Sequence, residues 1–303
     1  MAGISRSQIQ KQLEPGLNLV FGDSYKAIPE FHKDIFSIEK SERAWEEELK
    51  ISGFGAAQVQ DEGMGVARDT AQEVFTARYV HERISLAFDI TADAIADQLY
   101  APLANRYTKA LARSMAYTKQ VKGAAVLNQA FNAAIKYGDN TSLCSLTHPL
   151  LSGGNNSNMF VTPVDLNETS LEAALIQMAG WTDERGLLIS FRAKKLIVPA
   201  GLQFTVSRLL DTDKRVGTSD NDINAIRNNS AIPDGYAINT FLTDPDAWFI
   251  KTDAPDGLKH FIRQGVTTKM DEDFSTGNLM YKTTERYAFG VTDPLGIFGS
   301  AGG

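Results

Sequence analysis

The sequence is short of cysteine and of long apolar runs. Its 303 residues contain one cysteine, Cys144, so no disulfide can form within the chain. No stretch approaches the roughly 18 consecutive apolar residues that a membrane-spanning helix requires. The first residues, MAGISRSQIQKQLEPG, lack the apolar segment of a secretory signal. These absences predict a soluble globular protein without a membrane partner, and the single cysteine fits a reducing compartment.

Positive charge is also scarce. The chain has 30 lysines and arginines against 37 aspartates and glutamates, which gives a formal net charge of −7. Binding to nucleic-acid phosphates requires clustered cations. No basic stripe with interleaved aromatic residues is evident along the sequence. The composition therefore argues against a protein that reads nucleic acid.

Motifs for nucleotides and metals are missing or incomplete. No GxxxxGK[ST] loop occurs, and GMGVAR at 63–68 lacks the third glycine of a dinucleotide fingerprint. The segment DNDINA at 220–225 has Ala225 where a calcium-binding loop needs glycine. The acidic runs at 46–48 and 271–273 are more simply interpreted as solvated surface. The sequence therefore predicts no cofactor and no metal site.

Cys144 and His148 form the one pair that suggests nucleophilic catalysis. They lie in the segment SLCSLTHPLLSGGNNSN at 142–158, which has the composition of a loop. Pro149 restricts His148 to an extended backbone, so no helical register brings the two side chains together. A catalytic cysteine also needs an oriented imidazole and a lowered thiol pKa. We interpret the segment as a structural joint and predict no catalytic residue; an enzyme using Cys144 is the alternative hypothesis.

The order of predicted elements is distinctive. Residues 1–30 are interrupted by glycine and proline, which predicts an extended arm without its own core. Strands predicted within 41–52 and 73–90 enclose a glycine-rich tip, and an isolated hairpin of this kind is marginally stable. A helical apolar face over 92–136 predicts one long helix. Alternation over 259–290 predicts a long antiparallel hairpin, so the fold class is α+β.

Several segments carry a resemblance that spans nearly the whole chain. They include LNLVFGDSYKAIPEFHKDIF, YVHERISLAFDITADAIADQLY, LARSMAYTKQVKGAAVLNQAFN, FLTDPDAWFIKTDAPDGLKHF and DFSTGNLMYKTTERYAFGVTDPLGIFGS. In their amino-acid sequences and in their order along the chain, these segments resemble the major capsid proteins of tailed bacteriophages. The ordered set is more specific than any one of the segments.

The resemblance implies the α+β fold of that family and a division of the chain into domains. The implied parts are an N-terminal arm at 1–30, an extended hairpin loop at 42–88, a peripheral domain at 31–41 and 86–140 with a spine helix at 92–136, an axial domain at 141–255, a peripheral β-arm at 256–290, and a C-terminal tail at 291–303 that returns to the axial domain.

The resemblance also implies a structural function. A protein of this family assembles as pentamers and hexamers into the icosahedral head shell around double-stranded DNA, without sequence-specific DNA binding. The expected location is the virion capsid, assembled in the host cytoplasm. Implied partners are a portal protein, a separate scaffolding protein and, in some members, a decoration protein. The alternative is the shell of an encapsulin-type compartment, which uses the same fold to enclose enzymes.

Apolar residues of the arm and hairpin are the expected contacts between subunits. They are Trp45, Phe54, Val74, Phe75 and Tyr79 in the hairpin and Leu17, Leu19, Val20 and Phe21 in the arm. The loop nearest the symmetry axis is expected to contain Asp220, Asn221 and Asp222. Some family members join subunits through a lysine–asparagine bond from the extended loop. Lys50 is the only lysine between Lys40 and Lys109 and lies away from the tip, so no such bond is expected here.

Overall fold

The computed structural model describes residues 6–96, 100–214, 222–273 and 275–303. Its helices are α1 (Arg6–Lys26), α2 (His32–Ile35), α3 (Ala92–Ala96), α4 (Tyr100–Asn128), α5 (Glu168–Ala179), α6 (Gln203–Leu210) and α7 (Ala225–Asn228). Its strands are β1 (Ser37–Lys40), β2 (Trp45–Ile51), β3 (Glu73–Val80), β4 (Glu82–Ile90), β5 (His148–Pro149), β6 (Asn155–Asn156), β7 (Ala193–Val198), β8 (Tyr236–Ile238), β9 (Trp248–Thr252), β10 (Leu258–Glu272), β11 (Leu279–Val291) and β12 (Ile297–Ser300). The predicted α+β class is confirmed. Within these described ranges, no helix is both long and apolar enough to cross a bilayer.

One body of the molecule is a four-stranded sheet covered by two helices. Its strand order is β1-β10-β11-β4, and the long pair β10 and β11 is antiparallel, as the alternating sequence predicts. Helices α1 and α4 pack against each other and against this sheet. Their shared core contains Leu17, Phe21, Leu111, Met270 and Tyr281. The helices therefore bury the face of the sheet that the alternation makes apolar.

Helix α4 is the spine of this body. Its buried positions recur every three or four residues, and several of them are alanines, which let the helix approach the sheet closely. The helix ends at Asn128 instead of continuing to residue 136, which corrects the predicted extent. Beyond Asn128 the backbone switches to tighter turns, with Ala130 N donating to Leu127 O and Asn132 N donating to Gln129 O. The Asn128 side chain forms hydrogen bonds with the loop at 241–243: it donates to Phe241 O and accepts from Thr243 N.

The expectation of an extended N-terminal arm is wrong for the described residues. Arg6–Lys26 is a helix although Pro15 lies inside it. The physical reason is tertiary packing, which outweighs the unfavourable helix propensity of proline and glycine. Leu17 and Phe21 are buried against the spine and the sheet, and Asn18 accepts hydrogen bonds from the Thr268 and Tyr281 hydroxyls at 2.8 Å.

The second body is a smaller sheet in the order β12-β9-β7-β8, packed with α5 and α6. Trp248, Leu196, Val206 and Phe298 are fully buried at its centre. Asn167 caps α5 by accepting a hydrogen bond from Ser170 N at 2.8 Å. Because β12 pairs with β9, the C-terminal segment returns to this second body.

The two bodies are joined by a buried polar network within 142–158. The Asn158 amide nitrogen donates to three carbonyl oxygens, at 2.7, 2.9 and 3.1 Å, of Leu143, Pro294 and Ile297. This orientation directs Asn158 Oδ1 toward His148 Nε2 at 2.9 Å, so that nitrogen must carry a proton. The other ring nitrogen of His148 lies 2.5 Å from Asp139 Oδ2. The network fixes the joint between the spine and the second sheet.

His260 is a second buried polar residue of the first body. It is fully buried on β10, stacks on Phe289 at 4.2 Å and faces the rings of His32 and Tyr287. Neither ring nitrogen has a hydrogen-bond partner among the described residues. Burial, with the nearby His32 and Lys119, lowers the pKa of His260 to about 3.

This burial makes stability depend on pH. Below about pH 6.5 the unfolded chain protonates this imidazole, whereas the folded chain does so only near pH 3. The unfolded state therefore binds more protons in this interval, and stability falls as the pH is lowered through it. A His260→Phe variant should reduce the loss of unfolding free energy between pH 7 and pH 5 by about 2 kcal/mol. Urea unfolding at both pH values measures this, and identical pH slopes in the two proteins would contradict it.

Candidate assembly interface

In the hairpin of β2 and β3, the two sides of strand β2 differ in character. The two strands pair antiparallel, with Trp45 opposite Val80 and Lys50 opposite Phe75. Alternate side chains of β2 point to opposite faces. Glu46, Glu48 and Lys50 are partly buried against the body, whereas Trp45, Glu47, Leu49 and Ile51 are exposed. The charged residues Glu46, Glu48 and Lys50 of β2 are therefore turned inward, and the outward side of β2 is apolar except for Glu47.

Lys50 attaches the hairpin to the second body and to the C-terminal segment. Its ammonium lies 3.2 Å from Glu184 Oε1 and 3.1 Å from Asp293 Oδ2, and both carboxylates are largely buried. Burial alone would lower the pKa of Lys50, but the two carboxylates outweigh it and raise that pKa. The Phe75 ring lies beneath the ammonium, and this ring fits only because residue 138 is glycine. A Cβ at Gly138 would lie 2.5 Å from the Phe75 ring.

Lys259 forms a second attachment, to the sheet of the first body. Its ammonium lies 2.5 Å from Glu48 Oε1, 3.0 Å from Asp256 and 3.3 Å from Glu39. Burial would lower the pKa of Lys259, but its hydrogen bonds to Glu48 and Asp256 raise it. The Thr292 hydroxyl also donates to Glu48. Charge pairing thus replaces the hydration that the charged groups on the inner side of β2 lose when they are buried.

The inner side of β3 supplies the apolar part of this attachment. Ala77 and Tyr79 are buried with Phe261 and Ala288 in a small core. The Tyr79 and Phe261 rings meet edge to face at 4.8 Å, and the Tyr79 hydroxyl lies 2.5 Å from Thr292 Oγ1. The hairpin therefore lies on its own subunit along its inner side, instead of projecting freely.

The outward side and the tip expose apolar surface. On the strands this surface comprises Trp45, Leu49, Ile51 and Val80, and on the segment at 52–72 it comprises Phe54, Val59, Met64 and Val66. Val59 is 96% exposed. Arg78 lies over the Trp45 ring at 4.6 Å, which orients the ring without covering it. A concentration of uncovered apolar side chains on one element is typical of a surface that contacts another protein.

One ion pair tethers the segment beyond the strands. Arg185 Nη2 lies 2.6 Å from both Asp69 carboxylate oxygens, and Gly55 N donates to Asp69 at 2.7 Å. The hydrogen bond from Arg185, followed by those from Gly55 and Thr70, lowers the pKa of Asp69 to about 2. Because both partners of the pair are accessible to solvent, its contribution to stability is small.

The residues expected to contact a neighbouring subunit fall into three groups by exposure. Trp45, Phe54 and Leu19 are exposed, and Val20, Val74 and Phe75 are partly buried. Leu17, Phe21 and Tyr79 are each at most 3% exposed within the subunit. The expectation is corrected for these last three, because side chains in the subunit core have almost no surface left for a neighbour.

The loop expected nearest the symmetry axis is only partly described. Asp220 and Asn221 lie outside the described residues. Asp222 is exposed and precedes an isolated β-bridge between Lys214 and Ile223.

Cys144 is part of the core at the joint. It is 1% exposed, and burial raises the pKa of its thiol. His148 is directed to Asp139 and Asn158, as described above. In the ranges 6–96, 100–214, 222–273 and 275–303, no group of three or more His, Cys, Asp or Glu residues is arranged to hold a metal ion.

The attachments of the hairpin to its subunit are not evident from the sequence. Glu46–Glu48 was interpreted as an exposed acidic run, but Glu46 accepts a hydrogen bond from Ser41 and Glu48 pairs with Lys259. Strand alternation could have shown that Glu46 and Glu48 share a face opposite to Glu47. Their basic partner could not be found this way, because Lys259 is distant in sequence.

Comparisons with known proteins agree with this architecture. A family model described as phage capsid protein matches residues 75–299. The chain belongs to the phage capsid protein family. The match covers most of the chain, including the spine helix and the strands of both sheets apart from β1. The predicted family is thereby confirmed, and the chain is a shell protein of the virion capsid.

Solved structures show the same fold. The capsid of cyanophage P-SCSP1u has a TM-score of 0.57 at 10% identity, covering 88% of this chain and 86% of that chain. The virus-like particle from Pyrococcus furiosus has a TM-score of 0.54 at 11% identity, covering 94% and 98%. The capsid of a native GTA particle has a TM-score of 0.53 at 11% identity, covering 90% of each chain. No curated protein matches the sequence of this capsid protein.

Removing the Lys50 ammonium should loosen the hairpin. A Lys50→Met variant leaves the carboxylates of Glu184 and Asp293 buried without a counter-charge. We expect the free energy of unfolding of the capsid protein to fall by about 3–5 kcal/mol. Adding Glu184→Gln should recover part of this loss, because one uncompensated charge is removed.

The matched control is Lys40→Met at an exposed position of β1, which should change stability by less than about 0.5 kcal/mol. Guanidinium unfolding of all four proteins makes the comparison. Equal stability of Lys50→Met and Lys40→Met would show that the buried pairs do not hold the hairpin.

Proposed function

We propose that this chain is the major building block of an icosahedral phage head, assembling as pentamers and hexamers around double-stranded DNA. The observation that carries the proposal is the exposed apolar surface of the β2–β3 hairpin. The charged side of β2 is buried on its own subunit, whereas four apolar side chains stay exposed on the outer side of the hairpin beside the Glu47–Arg78 pair: Trp45, Leu49, Ile51 and Val80. Exposed apolar surface lowers the solubility of a single subunit, but in a shell it becomes the contact area between neighbouring subunits.

The proposed domains follow the two bodies of the fold. The sheet β1-β10-β11-β4 with α1 and α4 is the peripheral domain, and the sheet β12-β9-β7-β8 with α5 and α6 is the axial domain. The hairpin of β2 and β3 with its tip is the extended loop. Within it, the proposed contacts with neighbouring copies are Trp45, Leu49, Ile51 and Phe54, all exposed.

The other proposed partners are a portal protein, a separate scaffolding protein and, in some shells, a decoration protein. The net charge of −7 supports a shell that does not bind its DNA tightly, because many copies would repel the phosphates. A purely structural role without catalysis is supported by the buried Cys144 thiol, whose raised pKa makes a thiolate unfavourable.

No covalent bond between subunits through Lys50 is proposed. An amine must lose its proton before it can attack a carbonyl group. The carboxylates of Glu184 and Asp293 raise the pKa of Lys50 and keep it protonated. Lys50 is also held inward on its own subunit, away from the exposed tip.

The assembly test uses a Leu49→Ser, Ile51→Ser double variant. Both side chains are exposed, so the variant should keep its unfolding free energy within about 1 kcal/mol. Loss of apolar contact area should raise the critical concentration for shell formation at least about tenfold. Electron microscopy and sedimentation of purified protein measure closed shells against free subunits, and denaturing gels of the shells should show only monomers.

The control is Leu188→Ser in the second body, at a leucine that is 73% exposed, against 42% for Leu49 and 56% for Ile51. Normal shells from the double variant, or equal losses in variant and control, would contradict the role of the hairpin. Native particles that contain enzyme cargo and no DNA would favour the encapsulin-type alternative.

A further inference from the structure

The outer side of the spine helix α4 exposes an apolar stripe. It consists of Leu103, Tyr107, Ala110, Tyr117 and Val121, all exposed, with the small polar residue Ser114 between Ala110 and Tyr117. Their spacing alternates between four and three residues, so all six lie within one narrow sector of the helix. Leu103, Tyr107, Tyr117 and Val121 are 40, 44, 58 and 38% exposed. At 1.5 Å per residue the stripe is roughly 27 Å long.

Contacts within the subunit orient the two tyrosines without covering them. Tyr107 meets Phe88 at 5.6 Å, and Tyr117 meets Phe241 at 5.6 Å, both edge to face. The opposite side of α4 is already occupied by the sheet and α1. The stripe is therefore a preformed, rigid surface on a well-packed helix.

A row of cations borders one side of the stripe. Arg106, Lys109 and Arg113 are exposed, and none of them forms an ion pair with any residue that the structure describes. Helix α4 contains no aspartate or glutamate, although acidic residues exceed basic ones in the chain as a whole. The other two cations of the helix, Lys119 and Lys122, are paired with Glu285 and Glu82. The basic character is thus local to the exposed side.

We propose that this face of α4 is a docking site for an acidic amphipathic helix of a partner protein. A stripe with heptad spacing matches the apolar seam of a second helix, and unpaired cations beside such a seam select acidic residues in the partner. Phosphate binding alone would not account for the exposed Leu103 and Val121. The face exists in the single subunit, so the proposal does not depend on the assembly of the shell.

The probe is a fluorescein-labelled helical peptide of 21 residues, with leucine at the a and d positions and glutamate at e and g. Mutual repulsion of the glutamates prevents the peptide from pairing with itself. The matched peptide has lysine at e and g. Fluorescence anisotropy with the full chain, held below the concentration at which it assembles, should give a Kd of about 10 μM or lower for the acidic peptide only.

Two variants examine the two parts of the surface. Arg106→Glu with Arg113→Glu should weaken binding at least about tenfold, and Tyr117→Ser should do so as well. The control, Arg83→Glu with Lys282→Glu, changes the same total charge at exposed positions of β4 and β11 and should leave the Kd within about twofold. Circular dichroism establishes that all variants are folded.

Several results would overturn the proposal. They are equal affinity for the two peptides, unchanged affinity in the α4 variants, and no binding at 200 μM, a concentration about twentyfold above the expected Kd. Binding of a 12-base-pair DNA duplex that Arg106→Glu with Arg113→Glu abolishes and Tyr117→Ser leaves intact would assign the face to nucleic acid. Protection of α4 from hydrogen exchange on self-assembly without peptide would assign it to a second copy.

Discussion

Two buried ammonium groups determine how the hairpin relates to the rest of the subunit. Lys50 lies between Glu184 and Asp293, and Lys259 lies among Glu48, Asp256 and Glu39. A two-stranded hairpin has too little core to be stable alone. Charge pairs in a partly dry environment are strong when complete and costly when one partner is lost. The hairpin consequently has one defined position on its subunit.

This position has a consequence for assembly. Because Glu46, Glu48 and Lys50 turn inward, the alternation of β2 turns Trp45, Leu49 and Ile51 outward together with Glu47. The subunit thus presents an apolar surface on an element that is rigidly held. Ordering the hairpin before association lowers the entropic cost of binding a neighbour. The same division between a packed side and an uncovered side recurs on α4, where the uncovered side is bordered by unpaired cations.

Much of the fold could be predicted from the sequence because its signals are local. The period of the spine helix, the alternation of β10 and β11, and the Asn167 cap all act within a few residues. The helical state of Arg6–Lys26 could not, because Leu17 and Phe21 are ordered by partners far along the chain. The attachments of the hairpin were also inaccessible, since Lys50 and Asp293 meet only in the folded subunit. Among the exposed apolar residues of the hairpin, Trp45 and Phe54 were named from the sequence, whereas Leu49 and Ile51 were not. Their exposure, like the burial of Tyr79, depends on how the folded hairpin lies on its subunit.

Hydrogen exchange on soluble subunits and on assembled shells tests the central claim most directly. If the buried ion pairs hold the hairpin on its own subunit, the amides of β2 and β3 are protected in soluble subunits to nearly the level of β10 and β11. The amides at 52–72 then gain protection only on assembly, when the exposed side is covered. Exchange of β2 and β3 in soluble subunits as rapid as that of the tip would contradict the account.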